Sequence, residues 1–534
     1  MTEKTEVKNS KNKNRKIQKE NILDEVQLLF KSQTRSNENS IDVSFLLENL
    51  TKNGILKDDP RLQSFFSNLK SSYNNKKTLK IDEFRDATKE CFSILKNALS
   101  GELVIPNFEN FTEELKDIFT KVKENKDGKV ADYIPQLKKV SADKFGISVC
   151  TIDGQRWSAG DSQEFFSIQS ACKPLNYCLA LEEHGEEKVH QHVGSEPSGH
   201  SFNEITLDPI KRPHNPMINA GAIMTSSLVK PDLCPADRFE YVLKNWTKIC
   251  GGSEPRFNNS VYLSELGTAD RNFALAYFMR EHGTFPKGTD LQETLEFYFQ
   301  CCSIDLTAEQ VAVAASTMAL SGLCPLTGEK VFKSNTLKNT LALMSTCGMY
   351  DYSGEFFFKV GFPAKSGVGG GLLIVIPNVM GICVWSPALD KNGNSVRGID
   401  FCKELVKKYA FHNYDSLARE DSKKADPRKN FNELKTDYTT NLISAAHKGD
   451  MEEIRRYLIK GVDINQGDYD GRTALHLASA EGHTNCVRLL LSKGAKPGQT
   501  DRWGSAPVVD AKNSGHHEIV EILEKYQEEK KVLN

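Results

Sequence analysis

The chain has almost no excess of charge of either sign. Its 69 Lys and Arg face 71 Asp and Glu, for a formal net charge of −2, which offers no field for nucleic acid or an anionic membrane surface. It also lacks a long apolar run. The most apolar stretch, Gly369 to Trp385, is interrupted by Pro377-Asn378 and reads as two strands joined by a turn, with no membrane span. No Cys-x-x-Cys pair occurs among the 13 cysteines. Cys150, Cys178, Cys347 and Cys383 lie in apolar stretches and read as buried free thiols, and the odd count points to a reducing, intracellular compartment. His184, His190 and His192 have no carboxylate or cysteine at ligand spacing, so they read as a solvated helix end and no metal is expected. The N-terminal MTEKTEVKNSKNKNRKIQKE has no apolar h-region, and its acids and scarce arginine make a poor mitochondrial presequence.

What is present is ordinary globular composition, 39% hydrophobic and 26% charged over 534 residues, enough for several domains. Residues 1–20 read as a disordered tail. Residues 21–135 read as a helical, EF-hand-like domain, with apolar residues at helical spacing in Glu25–Phe30 and Phe45–Leu50. Asn125-Lys-Asp-Gly128 has the look of a calcium loop. With Gly128 as its sixth position, however, Lys123 and Ile134 stand at the two chelating ends, and calcium is not expected.

At Lys144 the texture turns to strand. Phe145–Ile152, a turn at Asp153-Gly154 and a second strand through Trp157 form a hairpin, and Phe165–Ile168 leads into a helix near Ser170. The middle is helical from about residue 175 to 349. Strands return at Phe356–Val360, Gly367–Ile376 and Val379–Trp385, before a helix around Ile399–Tyr409. Strands at both ends of residues 136–418 predict one antiparallel sheet closed from both sides. A charged linker follows over 419–438. Within 439–534, Gly471-Arg-Thr-Ala-Leu-His-Leu-Ala478 recurs as Gly504-Ser-Ala-Pro-Val-Val-Asp-Ala511, with Ala445 and Gly449 one period earlier. The period of about 33 residues and the Thr-Ala-Leu-His-Leu-Ala core are those of ankyrin repeats. The whole reads as a multidomain α+β chain.

Ser170-Ala-Cys-Lys173 carries the candidate chemistry. Positions i and i+3 share a helical face, so the lysine amine reaches the serine hydroxyl and, when neutral, takes its proton. A helix N-terminus favours the negative charge that develops there, and Pro174 is harmless only in a first turn. The spacing alone is weak: Ser10/Lys13, Ser67/Lys70 and Ser141/Lys144 share it in tail or surface settings. Ser170 differs by its apolar strand-to-helix setting and by Lys365-Ser366-Gly367 far downstream, the layout of β-lactamase-like serine hydrolases. Gly367–Gly371 leaves room for substrate to approach the backbone, or marks only a strand bulge.

Longer segments make the likeness specific. They are Val130-Ala-Asp-Tyr-Ile-Pro-Gln-Leu137, Gln169-Ser-Ala-Cys-Lys-Pro174, Glu196-Pro-Ser-Gly199 and Pro213-His-Asn-Pro-Met-Ile-Asn-Ala-Gly-Ala222. Asp270-Arg-Asn272, Cys347-Gly-Met-Tyr-Asp351, Pro363-Ala-Lys-Ser-Gly-Val368 and Pro377-Asn-Val-Met-Gly381 follow. With the helical N-terminal part and the ankyrin repeats, the chain resembles the glutaminase family, in its animal kidney-type and liver-type form, over nearly its whole length. The resemblance implies a β-lactamase-like catalytic fold, no cofactor, and hydrolysis of L-glutamine through a glutamyl-enzyme. It also implies a homotetramer, a mitochondrial location with a cytosolic alternative, and an unknown protein partner at the ankyrin repeats. It assigns Ser170, Lys173, Tyr133 and Tyr350 to catalysis. To substrate binding it assigns Gln169, Ser170, Asn219, Glu265, Asn272, Tyr298, Tyr350 and Val368. Animal members respond to phosphate through a loop where they carry lysine and this chain has Glu204. Lys211, Arg212 and Arg271 are the nearby cations that would compensate. Another serine amidohydrolase of the same fold, or an ankyrin scaffold with a dead catalytic domain, are the alternatives.

Overall fold

Short apolar runs rich in Ile and Val set up the frame that carries the site. In the computed structural model, which describes residues 25–34, 39–199, 204–415, 424–428, 433–459 and 462–533, strands β1 (Gly146–Thr151), β2 (Arg156–Gly160), β3 (Ala364–Ser366), β4 (Gly371–Ile376) and β5 (Met380–Trp385) form one sheet. Its order is β2-β1-β5-β4-β3 and every neighbouring pair is antiparallel. β1, β4 and β5 are buried at every position, which is why they read as unbroken apolar runs rather than alternating ones. The expected closure of the sheet from both ends is what β1–β5 pairing provides, with Gly146 opposite Trp385 and Thr151 opposite Met380. The expected tail over residues 1–20, and 419–423 and 429–432 of the expected linker, lie outside the described residues, as does 200–203.

The helices around this sheet are α1 (Lys173–His192), α2 (Asn219–Leu228), α3 (Asn259–Gly267), α4 (Asp270–Glu281), α5 (Leu291–Cys302), α6 (Ala308–Ala319), α7 (Ser334–Cys347), α8 (Ser353–Val360) and α9 (Val396–Lys408). Helix α6 starts at a capping box of Thr307 and Gln310 and lies directly on β5 and β1. Its small residues permit this, and so does Gly381, where an added Cβ would stand 2.1 Å from Ser316 N and 2.4 Å from Ala312 O.

Several expectations are corrected here. Phe356–Val360 is the helix α8, not a strand. Its aromatic run invites a strand assignment by propensity, yet Phe356 and Val360, four apart, face inward while Phe358 is 81% exposed, which is helical spacing. The expected strand Gly367–Ile376 begins only at Gly371, because Gly367–Gly370 forms a turn closed by Gly370 N–H to Gly367 O at 2.9 Å. The strand expected before Ser170 is present as Phe166–Ser167, but the small sheet it forms with Ile304–Leu306 and Arg256–Phe257 was missed. Its strands are too short to show a period.

The chain divides into two compact units, one drawn from the described residues of 1–53, 57–107 and 428–534, the other from 54–56 and 108–427. The expected boundary after residue 135 therefore differs from this division. Helix Phe108–Lys123 packs on α9, and the Asn125–Gly128 loop lies in the second unit with it. Gly128 (φ +90°) serves close backbone approach there, since a Cβ would stand 2.6 Å from Leu389 O.

In the first unit, a helix over 25–32, then Val43–Lys52, Gln63–Ser71 and Ile81–Thr88, make two helix–loop–helix pairs. Their loops are joined by antiparallel pairing of Ile41–Asp42 with Thr78–Leu79, the arrangement of paired EF-hands. With Glu83 as the twelfth loop position, Lys76 is the fifth. Its ammonium lies 2.6 Å from Glu83 Oε1, where a metal would otherwise meet that carboxylate. The same unit holds the helix pairs Glu433–Lys448 with Met451–Ile459, Ala474–Ala480 with Thr484–Ser492, and Pro507–Asn513 with His517–Leu533. They stack through Leu442, Ala446, Ala474, Ala478, Leu490, Ala511 and Leu523, as the repeat requires. His476 bonds Thr473 within its turn and Ser505 O in the next repeat at 3.1 Å.

The α6–sheet contact gives a stability test. Gly381→Ala is expected to lower unfolding free energy by about 3 kcal/mol in urea titrations. Gly354→Ala on the exposed start of α8, where nothing lies within 4 Å, should change it by less than about 0.5 kcal/mol. Equal effects at the two positions would show that the close packing at Gly381 is not limiting.

Candidate active site

The turn that carries Ser170 is fixed from two sides. Ile168 N–H donates to Ile304 O at 2.9 Å, and the chain then makes a 3-10 turn, Gln169–Cys172, that runs straight into α1. Gln169 sits at φ +49°, a left-handed conformation that costs a non-glycine residue about 1–3 kcal/mol. The Gly367–Gly370 turn presses against this segment. A Cβ on Gly367 would stand 2.3 Å from Ile168 O, and one on Gly369 2.1 Å from Ser167 O. Only residues without side chains permit the approach, and through it the backbone after β3 comes alongside Ser170.

Ser170 and Lys173 are both buried, the lysine to 1% exposure. Lys173 Nζ lies 2.9 Å from Ser170 Oγ and 2.7 Å from Asn219 Oδ1 at the start of α2. Burial pulls its pKa below the ordinary lysine value, because a low-dielectric surround disfavours the ammonium. Asn219 accepts from Lys173, lies 3.4 Å from Tyr298 Oη and donates from Nδ2 to Asn272 Oδ1 at 3.3 Å. Thus α2, α4 and α5 each send one polar group to the same point.

On the other side, α3 supplies Glu265, buried to 8% exposure. Burial raises its carboxyl above the ordinary value, while hydrogen bonds from Tyr133 and Gln169 and the Lys173 charge oppose this. Tyr133 is 48% exposed, but its hydroxyl points inward, donating to Glu265 Oε1 at 2.6 Å and lying 3.2 Å from Gln169 Oε1. That hydroxyl is pushed well above the ordinary tyrosine pKa, first by burial and then by Glu265. The segment holding Tyr133 is anchored by Ile134 and Leu137, which pack with Val261 of α3 and with Val368. Gln136 also hydrogen-bonds Ser264 beside Glu265.

Tyr350, just before α8, has φ +52°. Its hydroxyl donates to Ser366 O at 3.2 Å, and burial pushes its pKa up while the nearby Ser170 opposes this. The residues singled out from the sequence thus gather in one place, with Val368 half-buried in the turn after β3 and packed against Ile134 and Leu137. A cavity of about 480 Å³ opens beside Tyr350, lined also by Asn215, Ile218 and Cys347.

Some side chains depart from expectation. His184, His190 and His192 are not a solvated helix end. Their rings bond Leu228 O at 2.7 Å, the Tyr177 hydroxyl at 2.8 Å and Thr284 O at 2.8 Å, and α1 breaks between them at Gly185 (φ +77°). Arg212 is not a free cation, since it pairs with Asp208 at 3.0 Å and donates to His190 O. Lys365, read from the sequence only as part of Lys365-Ser366-Gly367, is completely buried and donates to Ser366 O at 2.7 Å. The signal was a lysine inside the otherwise uncharged strand Ala364–Ser366. Among the described residues, no three His, Cys, Asp or Glu side chains gather as a metal site, and no helix is long and apolar enough to cross a membrane.

Comparison with known proteins places this geometry. The glutaminase family pattern matches residues 128–414, with an EF-hand domain pattern over 26–106 and one of ankyrin repeats over 397–501. Putative glutaminase 3 of Caenorhabditis elegans is 46% identical over 89% of this chain and 83% of its own. The mitochondrial liver isoform of glutaminase from Rattus norvegicus is 44% identical over 90% and 80%. Among solved structures, the probable glutaminase ybaS superposes with a TM-score of 0.53 at 35% identity, covering 55% of this chain and 95% of that one. Mglu in its native form gives 0.54 at 36% identity, covering 56% and 72%. A buried Ser–Lys pair on this sheet, a family match over more than half the length and relatives alike almost from end to end lead to one conclusion: the chain belongs to the glutaminase family, with a β-lactamase-like catalytic domain, an EF-hand domain and ankyrin repeats.

Proposed function

We propose that the protein hydrolyses the side-chain amide of L-glutamine to L-glutamate and ammonia, with Ser170 as nucleophile and Lys173 as its base. The observation that carries this reading is the buried Lys173 amine 2.9 Å from Ser170 Oγ. No carboxylate lies within ion-pair distance of it among the described residues, so burial favours its neutral form. The amine takes the hydroxyl proton as Oγ attacks the amide carbon. The oxygen of the tetrahedral intermediate meets the backbone N–H groups of Ser170 and Val368, which the glycine turn brings together. Collapse returns the proton to the leaving nitrogen and expels ammonia, leaving a glutamyl ester on Ser170. Water, deprotonated by the same amine, then releases glutamate.

The amino-acid end of the substrate needs opposite chemistry. Glu265, held by the Tyr133 hydroxyl and Gln169, is the anion for the α-ammonium. Asn219, Asn272 and Tyr298 supply neutral donors for the α-carboxylate. Tyr350 stands beside the nucleophile to exchange protons with it. Family membership further supports a homotetramer, a protein partner at the ankyrin repeats and, through the rat relative's name, a mitochondrial location. Phosphate activation is expected to be weak, because Glu204 repels the anion and Arg212 is already paired with Asp208.

Ser170→Ala and Lys173→Ala should each lower turnover by about 10⁴-fold or more with an unchanged melting temperature. A reactive glutamine analogue should add its mass to the peptide containing Ser170; label on another residue instead would remove Ser170 as nucleophile. Glu265→Gln should raise KM by more than about 100-fold, since a buried ammonium left unpaired costs about 3 kcal/mol. N-acetylglutamine should be a poor substrate for the native enzyme, and comparable rates on both would count against the Glu265 role. The same substitution tests the electrostatics without substrate. The Glu265 carboxyl is raised in the folded state, so its contribution favours folding below its ordinary value and is lost as pH rises through the folded value. Glu265→Gln should therefore raise the melting temperature of the free enzyme at neutral pH, and the gain should shrink as pH is lowered into the carboxylate range. A lower melting temperature at neutral pH would show that the carboxylate stabilises the fold.

A further inference from the structure

Lys365 is completely buried, and the reaction above does not use it. Among the described residues no carboxylate lies within ion-pair distance of its amine. Methionine would fill a similar volume without desolvating a lysine, so packing does not account for the amine. Its position does. Nζ donates to Ser366 O at 2.7 Å and stands 4.6 Å from the centre of the Tyr350 ring. The Tyr350 hydroxyl donates to that same carbonyl at 3.2 Å, and it lies near enough to Ser170 for the serine to pull its pKa down against the effect of burial. The Ser366 peptide is held at its other end too, by donation from its N–H to Gly348 O at 3.1 Å. A hydrogen-bonded path therefore runs from the Tyr350 hydroxyl, beside Ser170, through the Ser366 carbonyl to the Lys365 amine.

We propose that Lys365 is a positioning residue for amide hydrolysis: by sharing the Ser366 carbonyl with Tyr350, it fixes the tyrosine hydroxyl against Ser170 Oγ. This rests on Ser170 being the nucleophile. Burial and the nearby Lys173 charge pull the Lys365 amine well below the ordinary lysine pKa. An amine donates to the carbonyl in either protonation state, so the positioning contact stands on its 2.7 Å geometry. Two adjacent buried ammonium groups would repel, which disfavours charging both. Without the amine, Ser366 O is left to Tyr350 alone, and the ring loses the group that packs on its face. Among the described residues no hydrogen bond joins Lys365 to the proposed glutamine-binding side chains Glu265, Asn219 and Asn272, so the effect falls on the chemical step.

The test compares Lys365→Met, Tyr350→Phe, the double variant and Ser170→Ala, each with kcat, KM for L-glutamine and melting temperature. Lys365→Met should lower kcat about 100-fold while KM stays within about threefold. On the Tyr350→Phe background it should add no further loss, because both substitutions break one path. A Lys365→Met kcat within about threefold of native, a Tyr350→Phe without loss, or losses that simply multiply would each overturn the proposal. If Lys365→Met does not fold, Lys365→Ala assayed with ethylamine takes its place. Saturable recovery of kcat supports the positioning role, and no recovery in a folded protein overturns it. Ser170→Ala separates the two levels: an active Ser170→Ala removes the underlying reading, whereas an inactive one beside an active Lys365→Met removes only this inference.

Discussion

A lysine amine taken out of water is the constraint around which the catalytic unit is arranged. Lys173 is buried to 1% exposure, and at that depth its charge is costly while its lone pair is useful. The surroundings meet the amine's hydrogen-bonding needs without restoring its charge: Ser170 Oγ and Asn219 Oδ1 are neutral acceptors. A carboxylate at either place would hold the ammonium and remove the base. Glu265, the acid of this site, is instead engaged by Tyr133 and Gln169. With the acid placed elsewhere, burial is left to pull the pKa of this amine down.

Holding that arrangement depends on residues with no side chain. Gly381 lets α6 lie on the sheet, and Gly367 and Gly369 let the turn after β3 touch the segment before Ser170. The strained Gln169 and Tyr350 backbones, at φ +49° and +52°, flank the serine within this frame. Such conformations persist only where surrounding packing over-determines them. A core that runs continuously from Phe166 through α1, α2, α5 and α6 to Trp385 supplies that packing.

Local features were the ones legible in the sequence. The Ser170/Lys173 spacing is a property of one helical turn, the Asp153-Gly154 hairpin is a short-range signal, and the ankyrin period is written in the chain itself. The gathering of Glu265, Asn219, Asn272 and Tyr298 was not legible from spacing. It came from resemblance, because four helices converge only through tertiary packing. Phe356–Val360 misled because aromatic propensity is indifferent to which face is buried. The three-stranded sheet beneath Ile168 escaped because Ile304–Leu306 and Arg256–Phe257, which pair with each other and with the strand read before Ser170, are two or three residues long and lie far from it in sequence. Lys365 escaped as a side chain because its partner is a carbonyl, which leaves no trace in residue type.

The Lys76–Glu83 contact in the N-terminal unit has a consequence of a different kind. A free ion neutralises a carboxylate only in proportion to its concentration, and it leaves when that concentration falls. An ammonium on the same loop is present at a local concentration fixed by the chain. The second EF-hand loop therefore carries its own counter-charge, and Glu83 remains bonded to Lys80 N–H at 3.0 Å, at the start of helix Ile81–Thr88. A sensor exchanges its cation with the medium, whereas the cation against Glu83 belongs to the chain itself.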